Sequence, residues 1–203
     1  MKTLKRTLSI ILILVLVLSP FIVTSAMALA LPNPYGNTFV GALGDKYDLL
    51  TQTEGEKIIV VGGSSVAFGI RSDIIAEYTD MQVVNFGLYA ALGTKLMLDL
   101  SRDGVSRGDI VIVTPELDAQ TLSLYFNSDM TLKAMGDRLD IFASIANKNK
   151  VSMLCKLWDY VAEKLVYFKK KLVDPSIEYP DPEGVYNSKN FNELGDLDRK
   201  SVV

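Results

Sequence analysis

The sequence predicts an α/β protein: a three-layer, doubly wound parallel sheet set behind an N-terminal hydrophobic helix. Three observations carry this expectation. The chain opens with basic residues followed by a long uncharged stretch. Three short runs, KIIVV, QVVNF and IVIVT, follow it in turn. Helical patterns and glycine-punctuated turns separate those runs.

At the N-terminus, Lys2, Lys5 and Arg6 precede an uncharged stretch from Leu8 to Leu31, densest in Ile, Leu and Val from Ile10 to Leu18. Pro20 and the small-residue run Thr24 to Ala30 come next. Ala26-Met27-Ala28 and Ala28-Leu29-Ala30 both fit a cleavage site, so residues 1–30 read as a signal peptide. Uncut, the same stretch is long enough to anchor the chain in a bilayer, with its basic residues on the cytoplasmic side. Both readings place the domain outside the cytoplasm, in the cell envelope or secreted.

Residues 31–56 read as linker and lead-in, beginning with the proline- and glycine-containing stretch Leu31 to Asn37. Lys57 to Val61 is a continuous apolar run rich in β-branched residues, as in a strand buried on both faces. It ends at Gly62-Gly63-Ser64-Ser65. Ser72-Asp73 is a helix N-cap signal, with a helix starting from Ile74 to Tyr78. Gln82 to Phe86 is a second strand, and a helix is expected from about Thr94 to Arg102. Gly108-Asp109 introduces a third strand, Ile110 to Thr114, stopped by Pro115.

From Arg138 to Val173 apolar residues recur at helical spacing: Ile141, Ile145, Met153, Leu154, Leu157, Trp158, Val161, Leu165 and Phe168. Lysines 156, 164, 169, 170 and 171 mark much of the other side. The favoured expectation is a surface helix packed on the sheet with a solvated lysine face. The alternative is a basic amphipathic helix lying on a membrane. Asp174-Pro175 ends it, and Glu178 to Asn190 reads as loop.

Composition excludes several classes. A net charge of −3 gives no electrostatic footprint for nucleic acid. The single cysteine, Cys155, has no intrachain partner, and its apolar neighbours suggest a buried structural thiol. The chain has no histidine, so no Cys/His metal cluster is expected, and neither metal nor cofactor is implied.

Ligands of open α/β sheets bind at the carboxyl ends of the strands. Two stretches there stand out: Val61 to Gly69, containing Gly63-Ser64-Ser65, and Val84 to Gly93, containing Asn85-Phe86-Gly87. A small turn directly after a strand lets a serine hydroxyl stand clear and brings backbone N–H groups near an oxyanion. Read without the second stretch, Gly-Gly-Ser-Ser is also compatible with a simple strand-to-helix turn or a phosphate-cradling loop. Together the two stretches resemble the first two sequence blocks of the SGNH (GDSL-like) hydrolase superfamily. The resemblance runs from about Lys57 to Pro115. It implies Ser65 as nucleophile, with Ser64 in place of the family's Asp, and Asn85 and Gly87 as the block-two turn. Ala90 stands where the family has the glycine that donates a backbone N–H to the oxyanion. Block three departs further: Thr114-Pro115-Glu116-Leu117-Asp118 carries no Asn in register, and Glu116 and Asp118 are candidates for acid/base or substrate-binding groups.

The family's catalytic base is an Asp-x-x-His, and a serine hydroxyl needs such a base at neutral pH. Without a histidine the chain is a non-catalytic relative, uses a lysine or carboxylate base, or is incomplete at its C-terminus, and incompleteness is the favoured expectation. Phe191 to Asp196 looks like the approach to that block. The residues from Asp198 to Val203 can be encoded by a string matching a common sequencing adapter, followed there by a stop triplet. Residues 57–197 are therefore expected to be a partial SGNH-like domain incomplete at its C-terminus, with 198–203 a non-native tail. The resemblance implies a serine-dependent esterase or O-acyltransferase of the cell envelope, acting on an acylated glycan or other ester and inactive as this fragment. The alternative is a non-catalytic SGNH-like module that binds glycan or a partner protein, with membrane contact through the N-terminal segment.

Overall fold

The computed structural model describes residues 2–115, 125–177 and 186–198. Helix α1 (Lys2–Ala30) is continuous through Pro20. Its stretch Leu4–Ala30, with an 18-residue window of mean hydropathy 2.7, is long and apolar enough to cross a membrane, a description that a signal sequence also meets.

Strands β1 (Lys57–Gly62), β2 (Gln82–Gly87) and β3 (Ile110–Thr114) form a parallel sheet in the order β2-β1-β3. Ile58 is in register with both Val83 and Ile110. A buried ion pair sets the start of this register. The Asp109 carboxylate accepts the Lys57 backbone N–H at 3.0 Å, lies 3.4 Å from its ammonium, and accepts the Ser106 N–H at 2.7 Å. Those added N–H donors offset the cost of burying the charges.

Successive side chains of a strand point to opposite faces, so a strand covered on both sides is apolar throughout. Ile59 and Val61 join Val84 and Phe86 in the larger core. That core takes residues from α2 (Leu43–Gln52), α5 (Thr94–Ser101), α6 (Ser128–Met135), α7 (Leu139–Ser144) and α8 (Asn147–Val173). Ile58, Val60 and Val83 face the other way. They meet Val66 of α3 (Ser64–Gly69) and Ile75 and Ala76 of α4 (Ser72–Thr79).

Several expectations change. The lead-in carries a core helix, α2, whose Leu43, Tyr47 and Leu50 are buried in the larger core. Ser72 is not the cap of α4: Arg71 occupies the N-cap position, and Ser72 is buried inside the first turn. The single long helix expected from Arg138 is broken at Ile145-Ala146 into α7 and α8. On α8 the buried face includes Met153, Tyr160, Val161, Lys164 and Tyr167; Lys156, Lys169 and Lys170 are solvated as expected, but Lys164 is buried, and Leu154 and Trp158, expected in the packed face, are exposed. Cys155 lies on that outer face and is exposed, not buried, because the helical turn carrying Leu154 and Trp158 points away from the core. Finally, β3 is an edge strand whose residues Ile110 to Val113 are all exposed.

Candidate functional site

The carboxyl ends of β1 and β2 come together through their glycines. At Gly62 a Cβ would lie 2.5 Å from Thr114 Oγ1 and 2.6 Å from the Thr114 carbonyl, so only glycine lets β3 pass this close. Gly63, in extended conformation, leads directly into α3. Its carbonyl accepts the N–H groups of Val66 and Ala67 at 3.1 and 3.2 Å. Ser65 is therefore the second residue of α3, where first-turn N–H groups point out of the helix end, and it is exposed.

The second turn is tied to the first. The Leu88 N–H donates to the Gly62 carbonyl at 2.9 Å. Gly87 lies so close to α3 that a Cβ there would be 2.8 Å from Ala67 Cα. Ala90 then opens a 3₁₀ turn, Ala90–Leu92. Among the described non-glycine residues only Asp80 has positive φ, so Ala90 has the negative φ that lets it replace glycine without strain. No backbone–backbone hydrogen bond among the described residues uses the Ala90 N–H. Gly62, Gly63, Thr94, Met97, Thr114 and Pro115 line a small depression at the same end of the sheet. Glu116, Leu117 and Asp118 lie outside the described residues.

Asn85 is fully buried and its side chain is committed. Its Nδ2 donates to the Val66 carbonyl at 3.0 Å and to Asp196 Oδ1 at 2.8 Å, and its Oδ1 accepts the Gly87 N–H at 2.9 Å. One amide thus fastens α3, the turn after β2 and the segment 186–198 together.

Two residues that sequence reasoning did not single out complete this network. Asp196 is buried and accepts the Ser72 N–H at 2.6 Å and the Ser72 hydroxyl at 2.7 Å, so a carboxylate from the end of the chain caps α4. Lys46 of α2 is buried and donates to the carbonyls of Gly195, at 2.6 Å, and Asn85, at 3.2 Å. Its ammonium also lies 4.5 Å from the centre of the Phe191 ring. Burial lowers the Lys46 pKa to about 7, against the opposing pull of the Asp196 carboxylate. The Phe191 to Asp196 stretch was a visible signal for Asp196. Nothing in the local pattern around Lys46 marks it. The contacts of both groups commit them to holding the segment 186–198.

Chemically, the arrangement presents a serine hydroxyl and first-turn N–H groups beside a second turn with its own backbone donor. The chain contains no histidine to act as base. Compared with known proteins, it matches no family model, no curated protein and no solved structure.

Proposed function

We propose that this protein is a serine-dependent esterase or O-acyltransferase of the cell envelope, built on an SGNH-like three-layer sheet. The observation that carries the reading is the Leu88 N–H to Gly62 carbonyl bond, which joins the two glycine turns beside exposed Ser65. The strand order β2-β1-β3 adds support: β2 is added on one side of β1 and β3 on the other, so the winding switches between β1 and β3, where open α/β sheets take their ligands. In this reading Ser65 Oγ attacks the ester carbonyl. The Ala90 N–H and the Ser65 N–H hold the oxyanion. The chain holds no histidine to act as base, and in this reading it is by itself inactive or nearly so. Helix α1 carries the domain across the membrane or holds it there, and the substrate is an acylated glycan or a related ester.

A specific observation favours a second reading. Asn85 and Gly87, the block-two residues, are wholly accounted for by packing and internal hydrogen bonds. A non-catalytic module that keeps the fold and binds glycan needs nothing more from them.

The deciding experiment uses the reading frame sequenced from genomic DNA past Leu197. The expressed product is treated with a fluorophosphonate probe and assayed on acetylated glycans. Ser65 labelling, and loss of about 10³-fold or more in turnover in Ser65→Ala, is the expected result. An unlabelled Ser65, or turnover that survives Ser65→Ala, overturns the enzyme reading. Glycan binding without turnover then supports the module.

A further inference from the structure

The outer face of α8 carries an apolar stripe from Val151 to Val166, interrupted by Lys169 before Leu172 and Val173. Val151, Leu154, Cys155, Trp158, Ala162 and Val166 follow each other at helical spacing and are exposed. Leu172 and Val173 extend the stripe to the end of the helix and are 85 % and 84 % exposed. The helix carries seven lysines against two carboxylates, and Lys148, Lys156, Lys169 and Lys170 are exposed within or beside the stripe. An apolar stripe with a basic border is the pattern of a helix lying in a membrane interface.

Position in the molecule says which surface it meets. Trp158 is in ring contact with Phe21 of α1, centroids 5.1 Å apart. With α1 in the membrane, Arg6, the last basic residue before the uncharged stretch, marks its cytoplasmic boundary. Phe21 lies fifteen residues beyond Arg6, which is about 22 Å along a helix axis. A hydrocarbon core is about 30 Å thick, so Phe21 falls about 8 Å short of the far boundary. That depth is within the roughly 5–10 Å to which interfacial helices bury their apolar face. Trp158, amphipathic and half-exposed, sits where tryptophan is enriched in membrane proteins.

We propose that α8 lies on the outer leaflet beside α1, with the stripe Val151 to Val173 immersed at the headgroup boundary and its lysines on anionic headgroups. The domain is thereby held flat against the membrane instead of swinging on a single anchor. This inference rests on α1 remaining in the membrane and is independent of any chemistry at Ser65.

The test uses the full chain reconstituted in vesicles of phosphatidylcholine and phosphatidylglycerol. An environment-sensitive fluorophore is attached to native Cys155, or to Leu172→Cys or Tyr78→Cys in a Cys155→Ser background. Tyr78 is an exposed control on α4, on the other face of the sheet. Brominated phospholipid should quench the labels at Cys155 and Leu172 several-fold more than the label at Tyr78, and aqueous iodide should show the reverse order. Leu172 is the decisive position, because it lies far along α8 from the Trp158 contact with α1. Equal iodide quenching at Leu172 and Tyr78 overturns the proposal. Protection of Leu172 from iodide without quenching by brominated lipid also overturns it, since a protein then covers the stripe.

Discussion

Asp196 Oδ1 accepts a hydrogen bond from Asn85 Nδ2 at 2.8 Å across 111 residues of chain, and the same carboxylate caps α4 through Ser72. The end of the described chain is therefore part of the core support of β2. Its neighbour Leu194 also accepts the Asn85 backbone N–H at 3.0 Å, so this segment covers the outer edge of β2.

Asp196→Ala leaves the Asn85 amide, the Ser72 hydroxyl and the Ser72 N–H short of an acceptor in a buried site. Hydrogen bonds to a charged group contribute about 1.5–3 kcal/mol, and the orphaned donors add a desolvation cost. The variant should lose about 3 kcal/mol of stability, read as a lowered urea midpoint. Asp196→Asn keeps one carbonyl acceptor and should lose less. A midpoint unchanged in both variants would show that the segment is not docked as described.

Lys46 gives stability a pH dependence of definite sign. Its folded pKa is depressed to about 7 from 10.5, so between those values the unfolded chain binds more protons than the folded one. The contribution of Lys46 to stability therefore rises with pH across that window. Below about 7 the penalty for a buried ammonium is present in full and constant. Lys46→Met should flatten the rise of the urea midpoint between pH 7 and 10.5. Retention of the full slope in Lys46→Met would assign the titration to another group.

Gly87→Ala tests the closeness of the two turns. The added methyl would meet Ala67 Cα and Asn85 Oδ1, each at 2.8 Å, where neither backbone nor a committed amide can yield. Overpacking of this kind costs about 1–3 kcal/mol. The melting temperature should fall, and in the full reading frame any Ser65-dependent turnover should fall further than stability alone explains. Gly55→Ala is the comparison, since no atom lies within 4 Å of the Cβ it would add and only its positive φ is strained.

The exposed β3 strand should make the chain self-associate. Ile110, Val111, Ile112 and Val113 are each at least 40 % exposed on an edge with no neighbour among the described residues. An uncharged apolar edge is a template for pairing with another chain. Sedimentation in the detergent used for purification should show concentration-dependent association, which Ile112→Lys reduces. Association unchanged by Ile112→Lys would place the contact elsewhere, for instance on the stripe of α8.

Much of the architecture was legible from local pattern. The runs from Lys57, Gln82 and Ile110 became three parallel strands, and the C-terminal ends of α5 and α8 fell within a residue of expectation. Periodicity reports local geometry and which side chains are apolar, which is enough for strands this regular. It does not report which apolar face finds a partner. Thus the α8 stripe carrying Cys155, Leu154 and Trp158, apolar by composition, turned out to face outward.

By itself the sequence determined the apolar N-terminal helix, the three strands and the glycine turns that end them, because each depends on residues within a few positions of one another. Only the tertiary structure decided that Leu88 binds Gly62, that Ser72 is capped by Asp196, and that Lys46 is buried on the carbonyls of Asn85 and Gly195. Those contacts span up to 149 residues. A buried polar group must find a partner wherever the fold brings one, and no local pattern encodes which distant group that will be.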